Sequence, residues 1–164
     1  MAKEIERKFL VKDDGWRTET TGSTDLVQAY IAAMDDRSLR VRLIDDRRAT
    51  LTLKIGRQLL SRDEFEYDIP VHDAKELIGG AFGIVLVKTR HIVEHEGFVW
   101  EVDAYGGIYS GLVVAEVEMQ HEEEQPAQPA WIGAEVTGDR RFSNLVMATE
   151  DLSRELCNGI QAAS

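Results

Sequence analysis

Apolar and polar residues alternate along most of this chain, and a period of two predicts strands. Across residues 38–43, Leu39, Val41 and Leu43 fall on one face and Arg40 and Arg42 on the other. Residues 49–55 repeat the pattern, with Leu51, Leu53 and Ile55 opposite Thr50, Thr52 and Lys54. Asp45-Asp46-Arg47 lies between the two runs and reads as the turn of a hairpin. A first strand over 4–11 sets Glu4, Glu6 and Lys8 on one face, and Ile5, Arg7, Phe9 and Val11 on the other. Further strands are predicted at 26–33, 62–69, 84–95, 98–105 and 112–120. Pro70, Glu96-Gly97 and Gly106-Gly107 punctuate them, and residues 56–61 read as a loop.

Helical spacing is confined to two stretches. Residues 73–78 form a short helix, with Asp73 near its start and Gly79-Gly80 to stop it. Leu145, Ala148, Leu152 and Leu156 predict a C-terminal helix over 144–158, capped by Ser143 or Asn144 and stopped by Gly159. The acidic run 122–124, with Pro126 and Pro129 after it, reads as a solvated connector. Eight strands joined mostly by hairpins point to a mainly β, α+β fold. The expected architecture is a closed eight-stranded antiparallel barrel with helices packed outside, forming one domain over 1–164.

Composition narrows the setting. The chain has 164 residues, 43% of them hydrophobic, which suits one domain with a real core. No apolar run reaches the ~18 residues of a membrane span, and no secretory leader is expected at the N-terminus. The single Cys157 has no internal partner, which fits a reducing compartment and predicts the cytoplasm. The net charge of −11 argues against nucleic acid and anionic lipid as partners. An anionic ligand would have to be held by a local cationic cluster.

The strands carry such clusters, sorted by sign. Acids come in alternating pairs at 4/6, 64/66, 101/103 and 116/118, and bases at 40/42 and 88/90. Any one charged face is ordinarily solvated. Solvated faces, however, usually mix signs and include neutral polar residues. Segregated rungs suit a barrel whose charged faces look inward, onto a ligand combining phosphates with metal ions.

Glu4-Ile5-Glu6-Arg7-Lys8-Phe9 resembles the N-terminal Glu-x-Glu-x-Lys motif of the CYTH superfamily, the triphosphate tunnel metalloenzymes. Leu39-Arg40-Val41-Arg42, Leu53-Lys54, Glu64-Phe65-Glu66, Lys88-Thr89-Arg90, Glu101-Val102-Asp103 and Glu116-Val117-Glu118 are similar to its successive strand motifs, in order. Asp139-Arg140-Arg141-Phe142-Ser143-Asn144 is similar to its C-terminal segment. The likeness spans about residues 2–155, and is nearest to the short bacterial members that hydrolyse inorganic triphosphate.

The resemblance implies a tunnel barrel holding a linear triphosphate, with divalent Mg²⁺ or Mn²⁺ at one end. It implies that Glu4, Glu6, Asp103, Glu116 and Glu118 hold metal. It implies that Lys8, Arg40, Arg42, Lys54, Lys88 and Arg90 bind phosphate, joined by one or both of Arg140 and Arg141. Arg42 would also stabilise charge in the transition state, Glu116 or Glu118 would act as base, and Lys88 would join proton transfer. Glu64, Glu66, Glu101 and Tyr30 are further candidates for the bore. The expected partner is a small-molecule triphosphate, and a homodimer is left open. The same motifs accommodate an organic triphosphate, as in thiamine triphosphatases, nucleoside or RNA triphosphatases and class IV-type adenylate cyclases. They also accommodate a non-catalytic binder of polyphosphate or nucleotide.

Overall fold

A computed structural model of the chain describes residues 2–57 and 61–160. The expected loop over 56–61 therefore falls partly outside the described residues. Nine strands form one antiparallel sheet: β1 (Ala2–Val11), β2 (Gly22–Met34), β3 (Arg37–Ile44), β4 (Arg48–Ile55), β5 (Ser61–Ile69), β6 (Phe82–His95), β7 (Phe98–Tyr105), β8 (Val113–Glu118) and β9 (Ile132–Glu135). Their order is β5-β4-β3-β2-β6-β7-β8-β1-β9, and β5 also pairs with β1. That last pairing closes the first eight strands into a barrel.

β1 is the closing stave. One edge pairs with β8, with Glu6 opposite Glu118 and Lys8 opposite Glu116. The other edge is shared: Ala2 to Ile5 pair with β5, and Phe9 and Val11 pair with β9. The ninth strand follows the expected connector, in a stretch to which the sequence assigned no element. It is only four residues long and carries no alternation to reveal it. Gly133 permits its close approach, because an added Cβ would lie 3.1 Å from the Leu10 carbonyl oxygen.

Three apolar clusters hold the barrel. One lies outside β3 and β4, where Val41, Leu43 and Ala49 pack under Ala74 of helix α1 (Val71–Gly79). A second covers the outer faces of β1, β7 and β8, where Phe9, Trp100 and Val117 pack with Trp16 and Trp131 from the connections. The third lies inside. Leu10, Leu86, Tyr105 and Val114 have the same strand parity as Lys8, Lys88, Asp103 and Glu116, so they face the bore. Phe142, Met147 and Leu156 of the C-terminal segment pack onto them and plug that mouth. The bore thus has an apolar, closed end and a charged, open one.

The C-terminal helix is shorter than its spacing predicts. Helix α2 covers only Asn144–Thr149, Glu150 is extended, and a separate π-helical turn spans Glu155–Ile160. Tyr109 explains the break. Its hydroxyl faces the carbonyl oxygens of Met147 (2.6 Å) and Glu150 (3.0 Å) as donor and accepts from the Leu152 N–H (3.1 Å). It takes over backbone groups that a continuing helix would have used. Apolar period alone carries no trace of this distant hydroxyl. No helix among the described residues is long and apolar enough to cross a membrane.

Tyr109→Phe should leave these backbone groups with an unmet partner, at a cost of about 1–3 kcal/mol. Urea unfolding should show a lower midpoint with an unchanged slope. An unaltered midpoint would deny the hydroxyl its role.

Candidate active site

The charged end of the bore opens into a cavity of about 740 Å³. Strand alternation builds its wall: the even-numbered positions of β1, β3, β4, β5, β6 and β8, and the odd ones of β7, carry the inward side chains.

β3 and β4 form the cationic side. Arg40 is 6% exposed, makes no ion pair among the described residues, and its Nε lacks a hydrogen-bond partner. Arg42 donates from Nε and a terminal nitrogen to Gln28 Oε1, at 3.0 and 2.9 Å. Burial, with Arg40 and Arg90 close by, lowers its pKa to about 10. These two guanidinium groups therefore share a low-dielectric wall and, among the described residues, have no carboxylate of their own. Lys54 is better compensated, with Nζ 2.6 Å from Glu4 and 3.8 Å from Glu64. Burial by itself would raise Glu4, but Lys54 and Arg62 outweigh it and hold the carboxyl well below its ordinary range. Glu64 goes the other way: burial, and the hydrogen bond it shares with Glu4, push it up to about 7.

β1, β7 and β8 form the acidic side. Glu6 lies directly across from Glu118, and Glu101 directly across from Glu116. Like charges facing each other across a sheet are destabilising. Burial, then the Glu116 and Glu4 carboxylates, push Glu6 up to about 8. Burial likewise raises Glu101. Glu116 escapes this: burial opposes its ionisation, but Lys8 at 3.7 Å and Arg90 at 3.8 Å keep it low. Glu118 is exposed to the cavity.

Arg90 crosses between the two sides. Its fork closes on Asp103 at 2.8 and 2.9 Å, and it reaches Glu101 at 3.2 Å. Behind it, Lys88 Nζ lies 2.7 Å from Asp103, and both side chains are 0% exposed. Burial opposes charge on both partners. Lys88 and Arg90 still hold Asp103 well below its ordinary value, whereas burial leaves Lys88 below its own despite the Asp103 carboxylate.

Most of the expected residues converge on this cavity. Glu4, Glu6, Lys8, Tyr30, Arg40, Arg42, Lys54, Glu64, Glu66, Arg90, Glu101, Glu116, Glu118 and Arg140 all line it. Three stand off it. Lys88 and Asp103 lie one layer deeper, sealed by Arg90 above and by Tyr105, whose ring lies 5.4 Å from Lys88 Nζ. Arg141 turns away to Asp139 and Glu155, and Arg140 stands at the cavity rim, with its exposed guanidinium 3.0 Å from Glu150. Sequence reasoning missed Arg62, Ser38 and Thr52, which also line the wall. Parity was the available signal, since Arg62 shares a face with Glu64 and Ser38 with Arg40. It missed Gln28 as well, because nothing in the sequence says that Gln28 faces Arg42 across β2 and β3.

The profile of the CYTH domain family matches residues 2–144. This chain belongs to the CYTH domain family. The CYTH match ends where α2 begins, so most of the C-terminal plug lies beyond it. An Acetivibrio thermocellus protein named inorganic triphosphatase is 43% identical over 149 residues, covering 89% of this CYTH chain and 94% of that protein. A Nitrosomonas europaea inorganic triphosphatase is 35% identical over 151 residues, covering 88% and 96%. The crystal structure of the inorganic triphosphatase NE1496 superposes with a TM-score of 0.65 at 33% identity, covering 92% and 97% of the two chains.

The acidic side suits a divalent cation by its chemistry: hard oxygen donors whose mutual repulsion a cation would relieve. Among the described residues, no three Asp, Glu, His or Cys side chains already converge as a ready-made metal cage. Mg²⁺ commonly takes one or two carboxylates and completes its shell with water and substrate phosphate.

The raised Glu6 pKa sets a pH dependence. Between its ordinary 4.5 and about 8, the folded chain retains a proton that the unfolded chain releases. Metal-free stability should therefore fall as pH rises across that window. Glu6→Gln should flatten the fall, read as Tm against pH in EDTA. An equal fall in wild type and variant would contradict the assignment.

Proposed function

We propose that this chain hydrolyses inorganic triphosphate to pyrophosphate and phosphate, with Mg²⁺ or Mn²⁺ bound at the acidic side of the cavity. The observation that carries the reading is the pairing of two incomplete charge sets in one cavity. Among the described residues, Arg40 and Arg42 pair with no carboxylate, and Glu6 and Glu118, opposite each other, make no ion pair. A triphosphate carries about four or five negative charges near neutral pH. Such a ligand, accompanied by a divalent cation, completes both sets at once.

In this reading Arg40, Arg42, Lys54 and Arg90 take phosphate oxygens. Arginine suits such contacts through its planar fork, and lysine acts as a point charge. Glu4, Glu6, Glu116 and Glu118 hold the metal, which when bound supplies charge neutralisation at the phosphates and a more acidic water. Asp103 and Lys88 act from behind by fixing Arg90. Water attacks the terminal phosphorus as its bridging P–O bond breaks. The departing pyrophosphate carries away the bond's electrons, and Glu118 or Glu116 accepts the water's proton. Arg42 and Arg40 stabilise the charge that develops on the transferring group.

The wall favours an inorganic substrate over a nucleotide. Among the described residues lining the cavity, Tyr30 is the one aromatic side chain, and Leu145 and Val146 are the aliphatic ones. A nucleobase would find little surface to stack on. The single Cys157 supports the cytoplasm as the site of action.

Phosphate release from tripolyphosphate should require Mg²⁺ or Mn²⁺ and stop in EDTA. Arg40→Ala or Arg42→Ala should each lower kcat/KM by about 10²-fold or more. ATP and thiamine triphosphate should be turned over more slowly than tripolyphosphate. Equal rates in metal and chelator would reject the metal-dependent reaction, and faster turnover of ATP would favour an organic substrate.

A further inference from the structure

The two arginines that flank the substrate space are held in opposite ways. Arg90 is clamped by carboxylates, with Asp103 on its fork and Glu101 and Glu116 nearby. Arg42 is clamped by an amide. Its two N–H donors meet on the single oxygen of Gln28, directly opposite it in the register of β2 and β3. Both clamps fix direction, because two parallel donors on one acceptor group define the plane of a guanidinium. Only the carboxylate clamp also cancels charge.

Gln28 is 0% exposed and does not line the cavity, so it does not meet the substrate. The two Arg42 donors require an acceptor, which fixes the amide oxygen towards the arginine. The amide nitrogen is then left buried, with no partner among the described residues. A buried donor without a partner is a standing loss of stability. A glutamate in the same place would set a second acceptor against the Arg42 fork, at the desolvation cost of a buried carboxylate. Glutamine instead meets both Arg42 donors with one neutral oxygen and brings no negative charge to the wall.

We propose that Gln28 is a positioning residue that aims Arg42 at the phosphate chain while leaving its positive charge available to the substrate. The inference rests on the tripolyphosphate reading above and adds a reason for its central cation. Arg90, already neutralised, meets phosphate oxygens without adding net positive charge. Arg42, beside an Arg40 that makes no ion pair among the described residues, supplies the net charge that draws the polyanion in.

The test is Gln28→Glu, made on wild type and on Arg42→Ala. Three readouts are needed: tripolyphosphate binding by calorimetry without metal, kcat/KM with Mg²⁺, and Tm. Wild type should bind tripolyphosphate. Gln28→Glu should weaken binding and lower kcat/KM more than fivefold, chiefly through KM, while Tm holds or rises. On Arg42→Ala the same change should cost less than it does on wild type, since the charge it cancels is gone. A loss of fivefold or less on wild type, equal losses on the two backgrounds, or a loss that tracks a falling Tm would each overturn the role of Gln28. No binding or turnover by wild type itself would instead overturn the tripolyphosphate reading.

Discussion

The barrel interior holds more charge than it can neutralise internally, and the arrangement of that charge governs the rest of the structure. Burying an ion is costly unless it is paired and hydrogen-bonded. Lys54 with Glu4, Arg90 with Asp103 and Lys8 with Glu116 meet that condition. Among the described residues, Arg40 and Arg42 do not, nor does Glu6, whose pKa burial and the nearby Glu116 and Glu4 raise to about 8. The imbalance is spatially sorted, with excess positive charge on β3 and excess negative charge across the cavity on β1, β7 and β8. In the proposed reading, a metal-bound polyanion relieves both.

The fold keeps this interior from collapsing. Its apolar clusters on the outer wall and at the closed end leave the charged layer free of any packing duty. β1 is the pivot, because three strands share its edges and its inward residues run from Glu4 and Glu6 through Lys8 to Leu10. One strand thereby spans from open charged mouth to plugged apolar end. The C-terminal segment completes that gradient: Tyr105 donates to Asn144 at 2.6 Å, and the Lys8 ammonium donates to the Phe142 carbonyl at 3.1 Å.

Much of this was legible in the sequence because strand parity is a simple code. Arg40 and Arg42, or Glu116 and Glu118, must share a face wherever their strand goes, and the sorting of signs argued that the face is internal. Parity gives a side, not a depth. It placed Lys88 and Arg90 on the same face but gave no sign that Arg90 would cap the Lys88–Asp103 pair. Pair identity was hidden for the same reason. Gln28 meets Arg42, and Arg62 meets Glu4, through register and closure, which are properties of the assembled sheet. The break after Thr149 lay beyond reach because its cause, the Tyr109 hydroxyl, is roughly forty residues away in sequence.

The account stands on one claim: the unbalanced charges enclose the ligand. Diffraction from crystals grown with Mn²⁺ and a non-hydrolysable triphosphate analogue, collected at the manganese edge, reads it directly. An anomalous peak beside Glu6 and Glu118, with phosphate density reaching Arg40 and Arg42, is the predicted result. Manganese and phosphate bound only on the outer wall, with the cavity holding neither, would contradict it.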